Sequence, residues 1–166
     1  TLSNTNNTPT EYTQKNSNMS VEEYYNRGME RQDFKYYNGA ISDYTNAIRI
    51  KPDYGSAYFG RAYSKAKLND HYGAIADYTK SIELNPNDAN TYFNRGLSKD
   101  ELKDYYGAIS DYNKAIQIDP SYVKAYRGRG IAKEYIGDLN GACIDWRKAA
   151  DLGDIDASDW VEKQCN

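Results

Sequence analysis

Residues 89–122 read ANTYFNRGLSKDELKDYYGAISDYNKAIQIDPSY, and this stretch decides the fold. Small and apolar residues fall at helical spacing over about 89–102 and again over about 106–118. Lys103-Asp104 separates the two runs, and Pro120 stands just past the second, where a helix cannot continue. The segment is therefore one helix–turn–helix unit. Its residues recur 34 positions to either side: Pro52, Pro86 and Pro120; Tyr24, Tyr58, Tyr92 and Tyr126; Ala40, Ala74, Ala108 and Ala142. Working outward at that period gives four units, 21–54, 55–88, 89–122 and 123–154, and predicts an all-α array.

The other helices are expected at about 21–34, 38–50, 55–68, 72–84, 123–136 and 140–152. Ser20 and Glu23 have the spacing of a capping box at the start of the first. Gly28, Ala62, Gly96 and Gly130 share a column in the middle of each first helix, and a column restricted to the two smallest residues predicts close helix approach. Tyr44, Tyr78, Tyr112 and Trp146 supply the large rings of each second helix. The fourth unit ends in Leu152-Gly153-Asp154, where glycine can take a left-handed cap. Ile155 to Asn166 then begins like a fifth unit and stops. Ala157, Trp160, Val161 and Cys165 lie on one face, which predicts a helix covering the open end.

Composition narrows the function. A formal net charge of −3 and a pI near 5.2 disfavour nucleic acid and anionic membranes as partners. No apolar run approaches the length needed to span a bilayer. Residues 1–19 are rich in Asn, Thr and Ser without apolar period and read as a disordered polar tail, either a solvated leader or what remains after a signal peptide is removed. The compartment is open: cytoplasmic, or exported with the signal peptide removed. A single histidine, His71, disfavours a metal site, and it falls in a turn with no special role expected. No nucleophile–base pair or phosphate loop is present, so neither an enzyme nor a cofactor is expected. Cys143 occupies the column of Ile41, Ile75 and Ile109, which makes a free buried thiol the default; a Cys143–Cys165 disulfide tying down the last helix is the alternative.

The pattern resembles the tetratricopeptide repeat family, whose motif falls on Tyr92, Gly96, Ala108, Tyr112, Ala115 and Pro120. That resemblance implies a right-handed α-solenoid of four helix–turn–helix repeats with a capping helix at 155–166. It also implies a concave face lined by the first helix of each pair, and a binding role for an extended peptide or partner helix. Two columns depart from the family pattern. Arg27, Arg61, Arg95 and Arg129 stand where Leu is usual, and Asp43, Asp77, Asp111 and Asp145 follow each of them by 16 residues. Opposite each other across a turn, the two columns predict an Arg–Asp pair within each hairpin or between neighbours. The alternative is an arginine ladder for an acidic ligand.

The outward columns of the first helices are the candidate peptide-binding surface: Tyr25, Met29, Phe59, Tyr63, Asn90, Phe93, Asn94, Leu97, Lys124, Arg127 and Ile131. Its aromatic and aliphatic members form either a docking track or packing between repeats. The Lys–Asn–Asn–Lys–Arg clamp with which some family members hold a carboxylate terminus is poorly matched. Phe59 and Tyr63 take its first two positions and Gly128 its last, leaving Asn94 and Lys124. Lys124 and Arg127 offer charge to an acidic ligand end, while Asp100, Glu101 and Glu134 offer it to a basic one. The expected function is a non-catalytic interaction scaffold for a protein or peptide partner. A self-associating structural repeat protein forming homo-oligomers is the alternative.

Overall fold

A computed structural model describes residues 19–165. The described chain is helical, in the order α1 (Val21–Asp33), α2 (Tyr37–Ile50), α3 (Gly55–Lys67), α4 (His71–Leu84), α5 (Ala89–Glu101), α6 (Tyr105–Ile118), α7 (Val123–Tyr135), α8 (Leu139–Asp151) and α9 (Ile155–Gln164). The polar tail expected at 1–19 lies, apart from Met19, outside the described residues. Each odd helix through α7 forms an antiparallel hairpin with the helix after it, and each hairpin packs on the next. The first helices of successive hairpins also touch one another, so α1, α3, α5 and α7 form the inner layer of an α-solenoid.

Local chemistry fixes the ends of these helices. Ser20 and Glu23 close the capping box on α1, with Glu23 N donating to Ser20 Oγ at 3.1 Å and Ser20 N to the Glu23 carboxylate at 2.7 Å. Asp70, Asp104 and Asp138 cap α4, α6 and α8 by accepting from the backbone N–H of Gly73, Gly107 and Gly141. Tyr36 takes the equivalent place before α2 and supplies no such bond. The turn inside each hairpin needs one left-handed residue, taken by Lys35, Asn69 and Lys103 at φ near +63° and by Gly137 at φ +85°.

Small-against-large packing holds the hairpins together. The rings of Tyr44, Tyr78, Tyr112 and Trp146 are essentially inaccessible. A Cβ on Gly28 would lie 2.8 Å from the ring of Tyr44, and one on Gly96 would lie 2.7 Å from the ring of Tyr112. The glycine column thus exists to let the second-helix ring lie against the first-helix backbone. At the far end Ala157 is fully buried, the Trp160 ring sits 5.4 Å from that of Trp146, and Val161 packs against the same cluster. Cys143 is buried in this cluster, but not as a free thiol: it is bonded to Cys165. The default of an unpaired cysteine is overturned because packing of α9 on α8 brings the two Cα atoms to 5.6 Å, well within bridging distance.

Candidate functional site

Every hairpin carries one carboxylate held by two cations. Arg27 donates Nε and Nη2 to the two oxygens of Asp43 at 2.9 and 2.6 Å, and Arg31 adds a contact to Asp43 at 2.8 Å. The unit repeats as Arg61 and Lys65 on Asp77, Arg95 and Lys99 on Asp111, and Arg129 and Lys133 on Asp145. All four aspartates are buried, while their cations are partly open. Each arginine also lies over the ring three residues before it, Tyr24, Tyr58, Tyr92 or Tyr126.

The same guanidinium reaches the preceding hairpin. Arg61 donates to Thr45, Arg95 to Thr79 and Arg129 to Asn113. The ion pair is therefore internal to the hairpin, whereas a hydrogen bond from the same guanidinium to an uncharged acceptor ties hairpin to hairpin. With its donors committed in this way, the arginine column is not an open ladder for an acidic ligand. The second cation was missed in the sequence. Its signal was the column Arg31, Lys65, Lys99 and Lys133, four residues after each arginine and on the same helix face.

The candidate groove residues separate into two columns. Tyr25 packs on Tyr44 and Tyr54, Phe59 on Tyr78, and Phe93 on Tyr112 and Tyr122, so these half-buried rings brace the core. Arg127, in the same column, is engaged by Asp154 and Asp156 at the start of α9. One turn further on, Met29, Tyr63, Leu97 and Ile131 turn outward on the inner layer; Met29 and Leu97 are exposed and the other two half-buried. Asn90 Oδ1 accepts from the Tyr122 hydroxyl at 2.7 Å, and Asn94 Nδ2 donates to the carbonyl of Asn90 at 2.8 Å. Lys124 is exposed.

Two depressions indent this face. The first, about 300 Å³ between α3 and α5, is lined by Tyr63, Ala66, Asn94 and Leu97, with the Tyr78 ring and His71 at its inner side. His71, the first residue of α4, lines this depression, and its Nδ1 is buried without a hydrogen-bond partner. The second, about 340 Å³ between α5 and α7, is lined by Leu97, Asp100, Glu101, Lys103, Tyr105, Ile131 and Tyr135. Leu97 and Glu101 border both, so the two form one track across three first helices.

Position 66 explains the first depression. In repeat one, Gln32 fills the equivalent place and its Oε1 accepts from the Tyr44 hydroxyl at 3.2 Å, with the Ser64 hydroxyl, which donates to the Gly60 carbonyl at 2.9 Å, lying 3.3 Å away. In repeat two that place holds Ala66, and the space is left open above Tyr78. In repeat three it holds Asp100, whose Oδ2 accepts from the Tyr112 hydroxyl. Burial first, then the nearby charges of Glu101 and Asp104, push the Asp100 carboxyl up to about 6 against the opposing pull of the Tyr112 hydrogen bond. Burial likewise raises Tyr112 well above the ordinary tyrosine value. Among the described residues no cluster of three or more His, Cys, Asp or Glu is arranged to hold a metal. Nor is any described helix long and apolar enough to cross a membrane.

Comparison with known proteins agrees with this architecture. Family models described as tetratricopeptide repeat match residues 22–54 and 89–122, and one described as TPR repeat matches residues 63–99. No curated protein matches the chain. Among solved structures, a crystal structure of MamA is 25% identical with a TM-score of 0.82, over 89% of this chain and 86% of that one. The first TPR of Spaghetti (RPAP3), bound to the HSP90 peptide SRMEEVD, is 26% identical with a TM-score of 0.64, over 67% of this chain and 90% of that one. MamA 41-end from Desulfovibrio magneticus RS-1 shares the fold at 20% identity, with a TM-score of 0.77 over 80% of this chain and 75% of that one. With repeats matched at 22–54 and across 63–122 and its hairpins stacked as described, the chain belongs to the tetratricopeptide repeat family.

Proposed function

We propose that this protein is a non-catalytic interaction scaffold that holds an extended peptide or a helical segment of a partner along the inner layer of α1, α3, α5 and α7. The observation that carries the reading is the outward column Met29, Tyr63, Leu97 and Ile131 beside two joined depressions. Apolar side chains left facing solvent in a row, with polar atoms between them, suit an amphipathic or extended ligand better than they suit water. Tyr25, Phe59 and Phe93 give the track rigidity from behind, and Asn90, Asn94 and Lys124 supply polar contacts at its edge. Preorganised walls of this kind lower the ordering cost of binding.

The solved relative bound to SRMEEVD supports peptide binding as a use of this fold. An acidic terminus of that kind is not the ligand proposed here, because Phe59 and Tyr63 occupy the first two clamp positions and Arg127 is engaged by α9. The test is selection of a random-peptide display library on the purified protein, followed by affinity measurement of synthetic hits by fluorescence polarisation. Affinity should fall by about tenfold or more when Tyr63 and Leu97 are both changed to Ala. Hits whose affinity is unchanged in that variant, with its thermal melt intact, would place the binding surface elsewhere.

A further inference from the structure

We infer that the depression between α3 and α5 is a receptor for a glutamine side chain of the bound peptide, whose carboxamide oxygen accepts from the Tyr78 hydroxyl. The inference rests on the groove reading above and names the ligand's chemistry at one point along it.

The molecule carries its own template for this contact. In repeat one, Gln32 Oε1 accepts from the Tyr44 hydroxyl at 3.2 Å and lies 3.3 Å from the Ser64 hydroxyl of the next hairpin. One repeat later Tyr44 becomes Tyr78 and Ser64 becomes Ser98, but Gln32 becomes Ala66. The two polar residues that frame Gln32 are thus both kept, while the side chain they frame is not. Repeat three differs on both counts. Asp100 supplies its own acceptor to Tyr112, and Ala132 stands in the serine column. The space open in repeat two is about 300 Å³, at the small end of the roughly 300–1,000 Å³ range of ligand sites, and Ala66, Tyr78 and Ser98 all line it.

The floor of that space points to a ligand independently. Tyr78 is 1% exposed, and among the described residues its hydroxyl has no hydrogen-bond partner, unlike those of Tyr44 and Tyr112. In contrast to Asp100 Oδ1, that hydroxyl is not sealed from solvent, and Tyr78 lines the depression, where an entering acceptor can reach it. Burial first, and then Tyr63, hold the Tyr78 hydroxyl above its ordinary titration range, so it stays a donor at neutral pH. A buried donor left unpaired is costly, and an acceptor arriving from a ligand removes that cost.

Charge selects an amide over a carboxylate. Lys67, the cation at the rim, lies 5.0 Å from the centroid of the Tyr63 ring, and Glu101 on the same rim offsets it. Repeat three shows what a carboxylate meets at this depth, since burial pushes Asp100 up to about 6. A carboxamide brings the same acceptor with no charge to desolvate. Its NH2 group finds an acceptor in Asn94, whose own amide nitrogen donates to the Asn90 carbonyl at 2.8 Å and leaves the side-chain oxygen as the open group. Tyr63 and Leu97 offer apolar surface to the methylenes of the glutamine.

The experiment uses the full chain and the peptides selected on it from the random display library, resynthesised with glutamate or norleucine at each glutamine. We expect one glutamine position to be enriched. At neutral pH either replacement there should cost about tenfold on the wild-type protein, by leaving the Tyr78 donor unpaired or by burying a charge. Tyr78→Phe removes only the hydroxyl and should reduce the preference for glutamine over norleucine to about twofold. Ala66→Gln restores the side chain of repeat one; it should fill the site itself and weaken the glutamine peptide by about tenfold, with the thermal melt no lower. This variant keeps Tyr78, so the inference stays testable if Tyr78→Phe folds poorly. Hits without an enriched glutamine that still depend on Tyr63 and Leu97 would overturn the inference and leave the groove intact. A preference intact in Tyr78→Phe, an affinity intact in Ala66→Gln, or glutamate bound more tightly than glutamine would overturn it as well. An empty selection would remove the groove reading and this inference together.

Discussion

At the scale of single residues, Asp111 shows how charge is used structurally. It is 3% exposed, accepts two bonds from Arg95 at 2.9 and 2.6 Å, and receives Lys99 at 2.8 Å. Removing the carboxylate leaves two cations facing one another in a partly dry site. Asp111→Ala should cost about 3 kcal/mol, the lower end for breaking a buried pair because both cations can partly rehydrate. Chemical denaturation measures it, and an unchanged midpoint would contradict the structural role. Asp100 behaves in the opposite sense. Its native carboxyl titrates at about 6, above an unfolded value of about 3.9, so the native state binds the extra proton between those values. The group's favourable contribution is present below about pH 4 and is lost as pH rises through about 6. Asp100→Asn should therefore raise the melting temperature at pH 7.5, by an amount worth about 1 kcal/mol once solvent screening of the partly open carboxylate is allowed for. The gain should vanish near pH 4, which a melt series across pH would reveal.

At the scale of elements, the hairpin turn and the terminal helix carry the informative differences between repeats. The turn places Lys35 at φ +62° and Lys103 at φ +63°, where a side chain is unfavourable, while Gly137 holds the same place in the fourth hairpin without that cost. Lys35→Gly should stabilise the protein by about 1 kcal/mol, read as a rise in melting temperature. Gly137→Ala should lose a similar amount. Helix α9 covers Trp146 with a single short face and is fastened by the Cys143–Cys165 bridge across a 22-residue separation. Cys165→Ser should cost about 3 kcal/mol on the loop-entropy scale. Faster amide exchange should appear in α9 and the end of α8 while α1 to α6 stay protected, because a solenoid's contacts run only to its neighbours.

At the scale of the whole molecule, the stack is made of repeats that differ where a ligand would touch them. Position 32 in repeat one, 66 in repeat two and 100 in repeat three carry Gln, Ala and Asp, so one column presents a filled, an open and a charged site in turn. The scaffold reading predicts that the chain binds without assembling on itself. Light scattering should give a mass near 18.9 kDa that does not change with concentration. A mass that climbs with concentration would favour the self-associating alternative, in which the groove or the open ends serve a second copy.

How much of this was legible beforehand follows from what repeats. The 34-residue period, the hairpins, the helix ends to within a residue or two and the closing helix all follow from spacing alone. Each is set by contacts local in sequence or copied from one unit to the next. The pairing of Arg95 with Asp111 was readable for the same reason, since both columns recur 16 residues apart. What the sequence could not divide was the apolar track. Phe93 and Leu97 are equally apolar and one turn apart, yet Phe93 packs on Tyr112 and Tyr122 while Leu97 faces the groove. That choice is made by which rings the paired helix and the following turn place against each side chain, a quantity no single helix encodes. The state of Cys143 and the unpaired Oδ1 of Asp100 were decided in the same way. By itself the sequence determined the repeating unit and its order, because these rest on periodic local chemistry. Only the tertiary structure decided which side chains remain free to bind, because that depends on what the neighbouring repeat places against them.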